Sequence, residues 1–386
     1  MKNKFIPFSL PDIGSKEISE VIKTMQSGWI TTGPVSKKFE EKFSNFIDPN
    51  STAISVNSAT AGLHLALEAI GIKAGDEVII PSYTFTATAE VIYYLSAKPV
   101  FVDVNKDTFN INVDSIAKAI TKKTKAIMVV HFAGLPAEMD EIIKLAKKNR
   151  IKIIEDAAHA FPTTYKNRNI GSLDTDATVF SFYANKTMTT GEGGMIVTKN
   201  KKIADRCKIM RLHGINKDAF NRFRSKTPAW SYDVIAAGYK YNLTDIASSI
   251  GLVQLSRTRE MQKKRERIAS IYNCELSSLP IVLPKNSNKK DIHSRHLYPI
   301  LLKPESKIKR NNFIEKMFDN KIGCSVHYLP LHMQKFWKSK FNLKKINFPV
   351  SNYLYQNEIS IPLFSKMNDD EIDKVINSIK SIFKNA

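Results

Sequence analysis

Four residues near the middle of the chain could do chemistry together. The apolar run IKIIEDAAHA, from Ile151, delivers Asp156 and His159, and the run TVFSFYANKTMTTGEGG, from Thr178, delivers Ser181 and Lys186. An amine just past one buried strand and a carboxylate at the end of another suit a carbonyl cofactor. The amine forms a Schiff base and the acid keeps a ring nitrogen protonated, a pair that pyridoxal 5'-phosphate (PLP) needs. Strand ends also carry charge simply because they surface, so Lys186 alone would read as structural. The combination points to a site.

The flanking pattern says what must hold these groups. From Asp76 the chain alternates strand and helix: EVII, then TFTATAEVIYYL, PVFVDV, a helix through Ala117, KAIMVVHF, AEMDEIIKLAKK and IKIIED. Such alternation predicts an α/β fold with a mainly parallel sheet covered by helices. Ligands bind at the carboxyl ends of such strands. An extended arm with Pro7 and Pro11 and a helix from about Ser15 to before Gly28 precede this region. The helix from Lys201 is expected to end near His213, before a long irregular loop, 215–237, carrying Arg222, Arg224, Trp230 and Tyr232. Beyond it lie an apolar helix, IASSIGLVQL, and a long charged helix from about Gln254 to Leu279. The C-terminal third then reads as a smaller α+β domain: HLYPILL and GCSVHYLPL as strands, NNFIEKMFDN and NDDEIDKVINSIKSIF as amphipathic helices.

Composition narrows the class. The 386 residues are 43% hydrophobic and 25% charged, ordinary for a folded protein with a large core. No run approaches a membrane span, and the N-terminus lacks an apolar core followed by small residues, so a cytoplasmic location is expected. Cys207, Cys274 and Cys324 are isolated in sequence, which suggests buried fillers and neither a disulfide framework nor a zinc site. The formal charge of +21 fits nucleic acid, an anionic surface or a phosphorylated substrate. Its lysines are spread as doublets and short runs (Lys122 and Lys123, Lys147 and Lys148, Lys199 to Lys202, Lys289 and Lys290, Lys344 and Lys345), the pattern of a solvated surface. No nucleic-acid motif accompanies them, so nucleic-acid binding is a minor alternative.

Several further stretches admit two readings. Asn57-Ser58-Ala59-Thr60-Ala61-Gly62 opens a helix with small residues and hydroxyls, which fits either a phosphate at the helix N-terminus or a plain Ser/Thr cap. Tyr83-Thr84-Phe85 follows a strand end, where an aromatic ring covers a cofactor face or joins the core. GWITTGP, Gly28 to Pro34, is a turn-rich connection. TGEGG lacks the GK[ST] ending of a P-loop. Asn242 and Thr244 read as a loop and a helix cap. His327 and His332 lie five residues apart without a carboxylate to complete a metal site, so no metal is expected.

The motifs EDAAHA, SFYANKTMTTGEGG, SATAGLHLAL, SGWITTGP and GYKYNLTD together resemble the DegT-type sugar-nucleotide aminotransferases, fold-type I PLP enzymes, over nearly the whole chain. The resemblance implies a large domain, 1–250, with a seven-stranded sheet and an N-terminal arm, plus a small domain, 251–386. It implies Lys186 as the Schiff-base lysine, Asp156 paired with the pyridinium nitrogen, His159 beside the ring and Phe85 stacked on it. Thr60, Ala61 and Ser181 would hold the phosphate, with Asn242 reaching the cofactor phosphate of the neighbouring subunit in a homodimer. His327 and Tyr328 would face substrate. The implied reaction moves an amino group from L-glutamate to a keto-sugar nucleotide, a 4-keto sugar or, alternatively, a 3-keto one. An amino-acid aminotransferase and a PLP-binding regulator are the rival readings. A branch that replaces the lysine with histidine and dehydrates its substrate is disfavoured, because Lys186 is present.

Overall fold

The computed structural model describes residues 4–216, 232–288 and 290–384. Its centre is a seven-stranded sheet ordered β1-β9-β8-β5-β4-β2-β3. In chain order the strands are β1 (Thr52–Val56), β2 (Glu77–Pro81), β3 (Lys98–Val102), β4 (Thr124–Val130) and β5 (Lys152–Asp156), a short hairpin of β6 (Thr164–Tyr165) and β7 (Arg168–Asn169), then β8 (Ala177–Ser181) and β9 (Gly194–Thr198). Strands β3, β2, β4, β5 and β8 run parallel, whereas β9 is antiparallel to both β8 and β1. The mainly parallel sheet read from the sequence is therefore present.

Alternate residues of each strand feed two cores, as a sheet covered on both faces requires. On one face, Ile79, Ile127, Val129 and Phe180 pack with Phe39 and Phe43 of α2 (Pro34–Ile47) and Ile142 of a further helix. On the other, Val78, Ile80, Met128 and Val179 pack with Leu63 and Leu67 of the helix Ala59–Ala69 and Ile203 and Cys207 of the helix Lys201–Met210. The first helix of the chain, α1, covers Ser15–Gln26. The helix from Lys201 stops at Met210, slightly short of the expected end, and Arg222, Arg224 and Trp230 lie outside the described residues.

The C-terminal third forms its own core around a three-stranded antiparallel sheet of β10 (Ile281–Val282), β11 (Tyr298–Leu302) and β12 (Glu358–Ile361). The N-terminal arm joins this core: Ile6 is buried in it and pairs with Ile322. Two helices expected here are one. IASSIGLVQL and the charged segment after it form a single helix, Asp245–Glu275, because no proline interrupts them and Gly251 lets the Phe39 ring pack against the backbone; a Cβ there would stand 2.7 Å from that ring. This helix packs Leu255 and Met261 into the sheet core and Ile268 and Tyr272 into the C-terminal core, and residue 250 lies inside it.

GCSVHYLPL is not a strand. Only Ser325 pairs, with Ser360, and the backbone N–H two residues on, that of His327, is taken by the Glu358 side chain instead of a neighbouring strand. The third strand is supplied by Glu358–Ile361. Of the cysteines, Cys207 is buried and Cys324 partly so, and burial pushes both thiols up to about 12, but Cys274 is exposed on the solvent side of its helix and is no core filler. His332 is a packing residue, stacked on Phe348 at 4.4 Å and bonded to Asn352. Among the described residues, no helix is long and apolar enough to cross a membrane, and no three His, Cys, Asp or Glu side chains cluster to hold a metal ion.

Candidate active site

The carboxyl ends of the parallel strands converge on one cavity of about 540 Å³. Eight of the residues singled out from the sequence line it: Thr60, Phe85, Asp156, His159, Ser181, Lys186, His327 and Tyr328. Asp156 and Ser181 are the last residues of two adjacent strands, and Phe85 follows the end of β2. The helix Ala59–Ala69 aims its N-terminus at the same space. Ser58 caps it by accepting the Ala61 N–H, which leaves the N–H groups of Ala59 and Thr60 in the first turn without helical acceptors. The cap reading of Ser58-Ala59-Thr60-Ala61 therefore holds for Ala61, while Thr60 lines the cavity. Gly194 permits this approach, since a Cβ there would meet the Ala59 nitrogen at 2.8 Å.

Lys186 sits in the turn between β8 and β9, which Phe182 and Gly193 close by a backbone hydrogen bond. Its amine is 3.4 Å from His296 Nε2, and burial lowers its pKa to about 8 while the Asp156 charge opposes the shift. The unprotonated amine, the form that attacks carbonyl carbon, is thus far more populated near neutral pH than for an ordinary lysine. Asp156 accepts from the Thr88 hydroxyl at 3.0 Å and from the Ala158 N–H at 3.2 Å. Burial nonetheless pushes its carboxyl up from the ordinary range. Such a carboxyl gains most from a cationic N–H set against it.

The opposite wall comes from His159 and Tyr328. His159 Nδ1 accepts the Ala133 N–H at 3.2 Å, so the hydrogen sits on Nε2, which donates to the Tyr328 hydroxyl at 2.9 Å. Burial first, and Lys186 second, hold His159 well below the usual histidine range and His327 down at about 3, so both rings are neutral beside the amine. Asn185 Oδ1 lies buried at the cavity without a hydrogen-bond partner among the described residues.

Asn242 is the outlier. It donates to Thr32 at 2.6 Å, accepts from Lys240 at 2.6 Å, and does not line this cavity. Sequence reasoning missed Thr88, Asn185, His296, Ser360 and Glu358. Asn185 adjoins Lys186 and could have been found by adjacency. The others reach the site only through tertiary contacts.

The donor set fits PLP on the chain's own features: an amine of lowered pKa, a buried carboxyl at a strand end, and hydroxyls beside the free N–H groups of a helix N-terminus. Fold and pocket together define a fold-type I PLP-dependent enzyme. The chain belongs to the DegT/DnrJ/EryC1/StrS aminotransferase family, whose sequence profile matches residues 11–380. It is 50% identical over 383 residues to an uncharacterized protein of Methanocaldococcus jannaschii, covering 99% of this chain and 98% of that one. It is 42% identical to the spore coat polysaccharide biosynthesis protein SpsC of Bacillus subtilis, covering 100% and 99%. Among solved structures, Spr1654 from Streptococcus pneumoniae in its PMP-form matches with a TM-score of 0.92 at 36% identity, over 98% of this chain and 99% of that one. Spr1654 is also solved in a PLP-form. Helicobacter pylori PseC, an aminotransferase involved in pseudoaminic acid biosynthesis, matches with a TM-score of 0.91 at 29% identity, over 99% and 100%.

Proposed function

We propose that this enzyme moves the amino group of L-glutamate onto a keto-sugar nucleotide, a 4-keto sugar linked to UDP, GDP or dTDP, in the building of a surface polysaccharide. The observation that carries the reading is the convergence of Lys186 and Asp156 on one wall with His327 and Tyr328 on the other. Similarity to SpsC and PseC supports the sugar. The motifs also resemble those of the enzyme that forms UDP-4-amino-4-deoxy-L-arabinose.

When bound, PLP supplies an aldehyde for the lysine and a ring that accepts carbanion electrons. Lys186 is the residue that would link to it and whose amine, when free, would take the proton from the donor's α-carbon. Asp156 holds the ring nitrogen protonated. His159, held by the Ala133 N–H, would stand beside the ring, and Phe85 would cover a ring face. Thr60 and Ser181 would hold the phosphate with the first-turn N–H groups, Ala61 contributing through its place in that turn. His327 and Tyr328 meet the substrate.

The assembly is a homodimer with shared sites, Asn242 serving the neighbouring subunit's cofactor phosphate. Ile18, Ile22 and Met25 line an exposed apolar stripe of α1 at helical spacing, and Ile30 continues it. Such a stripe suits an interface, and Asn242 bonds to Thr32 two residues on.

The test is spectroscopic. Purified protein with PLP should show a visible absorption band that L-glutamate bleaches and that Lys186→Ala lacks. Adding keto-sugar nucleotides should restore the band and yield an amino sugar by mass. Turnover of keto acids alone would indicate an amino-acid aminotransferase, and a band indifferent to glutamate a different donor or a regulator.

A further inference from the structure

Behind His327 runs a buried hydrogen-bond chain that neither the cofactor nor the lysine uses. Glu358, the first residue of β12, is 0% exposed. Its Oε2 accepts the His327 backbone N–H at 2.8 Å, and its Oε1 lies 2.5 Å from Ser360 Oγ. That hydroxyl in turn is 2.9 Å from His327 Nδ1. Ser360 is itself fixed by two backbone hydrogen bonds to Ser325, at 2.8 and 3.0 Å. The Nε2 edge of the ring is thereby left to the cavity that His327 lines.

A hydroxyl has one hydrogen to give, so the direction of this chain is all or none. If Glu358 is ionised, Ser360 donates to it and must accept from His327 Nδ1–H, which leaves Nε2 bare. If Glu358 is protonated, it donates to Ser360, Ser360 donates to Nδ1, and the hydrogen of His327 moves to Nε2. The imidazole stays neutral in both arrangements.

The surroundings favour the protonated form. Among the described residues no salt bridge reaches Glu358. Arg310, the cation that acts on it through space, is hydrogen-bonded to the Tyr355 carbonyl and stacked 4.6 Å over the Tyr355 ring. Tyr83, Tyr328 and Cys324 also face the carboxyl, and burial pushes all three up, so none is charged near neutral pH. Burial raises the Glu358 pKa to about 8, against the pull of Ser360, the His327 N–H and Arg310. On the far side of His327, Lys186 opposes any positive charge on the ring, so the tautomer is what responds.

We propose that Glu358, acting through Ser360, sets which nitrogen of His327 bears the hydrogen, and so presents an Nε2–H donor to a substrate oxygen that cannot itself donate, a keto or phosphate oxygen. Glu358 and Ser360 are positioning residues, and the inference deepens the proposed function and rests on it. Ionisation of Glu358 turns the same edge into an acceptor and weakens binding of such an oxygen.

The experiment is nitrogen-15 NMR of the full-length protein labelled at histidine, with His327→Asn to assign the signal. At pH 6.5 the wild type should carry the hydrogen on Nε2 and shift toward Nδ1 as pH passes about 8. Glu358→Gln, whose amide NH₂ donates to Ser360 as the acid does, should keep Nε2–H throughout. Ser360→Ala should remove the pH dependence by cutting the chain. In the wild type KM for the keto-sugar nucleotide should rise roughly 3- to 10-fold across the same range, the value of one hydrogen bond, and should not do so in Glu358→Gln. An Nδ1–H tautomer at pH 6.5, or a switch that persists in Glu358→Gln, overturns the relay. Failure to turn over any sugar nucleotide would sink the substrate reading while leaving the tautomer result to stand or fall alone.

Discussion

Glu155 and Glu358 are both 0% exposed, yet the protein drives them to opposite ionisation. Glu155, next to Asp156 in the central sheet, accepts from the Thr175 and Thr178 hydroxyls at 2.7 and 2.6 Å and from His131 Nε2 at 3.0 Å. The His131 hydrogen is on Nε2 because Nδ1 already accepts the Ala137 N–H. Burial raises the Glu155 carboxyl, but His131 and the threonines outweigh it and the pKa falls. Glu358 has one N–H and one hydroxyl, and its pKa rises to about 8. The number of committed donors, more than burial, decides the charge of a carboxyl. The central sheet is thus the fixed wall, and the C-terminal unit, on the relay proposed above, is the adjustable one.

The largest expected effects lie on the fixed wall. Lys186→Ala should abolish the visible band and lower turnover by on the order of 10⁴-fold or more. In the wild-type apoprotein, PLP capture should accelerate with rising pH and level off above about 8, since the attacking amine must be unprotonated. Asp156→Asn should keep the band and lower the glutamate half-reaction about 10²- to 10³-fold, read by single-turnover bleaching.

Next comes Glu155→Gln, expected to cost roughly 1–3 kcal/mol of stability by leaving buried donors poorly paired. The folded-state pKa of Glu155 is depressed, so its contribution is present above the unfolded carboxylate pKa and is lost as pH falls through the folded one. The variant's deficit in urea unfolding should therefore be full at pH 7 and shrink in acid. Tyr328→Phe, which strips the acceptor from His159, should raise KM for the sugar substrate roughly 3- to 10-fold.

A stability trend with pH sharpens the contrast between the glutamates. Because the Glu358 pKa is raised, its contribution is complete below the unfolded pKa and is lost as pH climbs toward about 8. Glu358→Gln should unfold at a progressively higher temperature relative to wild type as pH rises from 5 to 8. A parallel pH trend for the two glutamine variants would refute the comparison.

The sheet and most of the pocket were legible because the information is local. Strand ends at Asp156 and Ser181, the turn that bears Lys186, and the small residues opening the helix at Ala59 lie within short, patterned stretches. What escaped the sequence depends on distance. Thr88 reaches Asp156 across 68 residues, and Ser360 reaches His327 across 33. Apolar alternation made GCSVHYLPL look like a strand, but a side-chain carboxyl took the place of its ladder partner. The helix from Asp245 reads as an apolar stretch and a charged one, but a change of composition does not break a helix.

That 31-residue helix limits how the molecule can be recombined. Its first residue, Asp245, accepts the N–H groups of Gly33, Val35 and Ser36 and so caps α2. Further along, Arg265 donates to the Arg295 and Leu363 carbonyls of the C-terminal unit. A chimera that borrows a relative's substrate wall by joining chains near residue 250 would splice through one continuous hydrogen-bond ladder. Exchange of specificity between family members has to carry the helix with its contacts, or be confined to the residues of the wall itself.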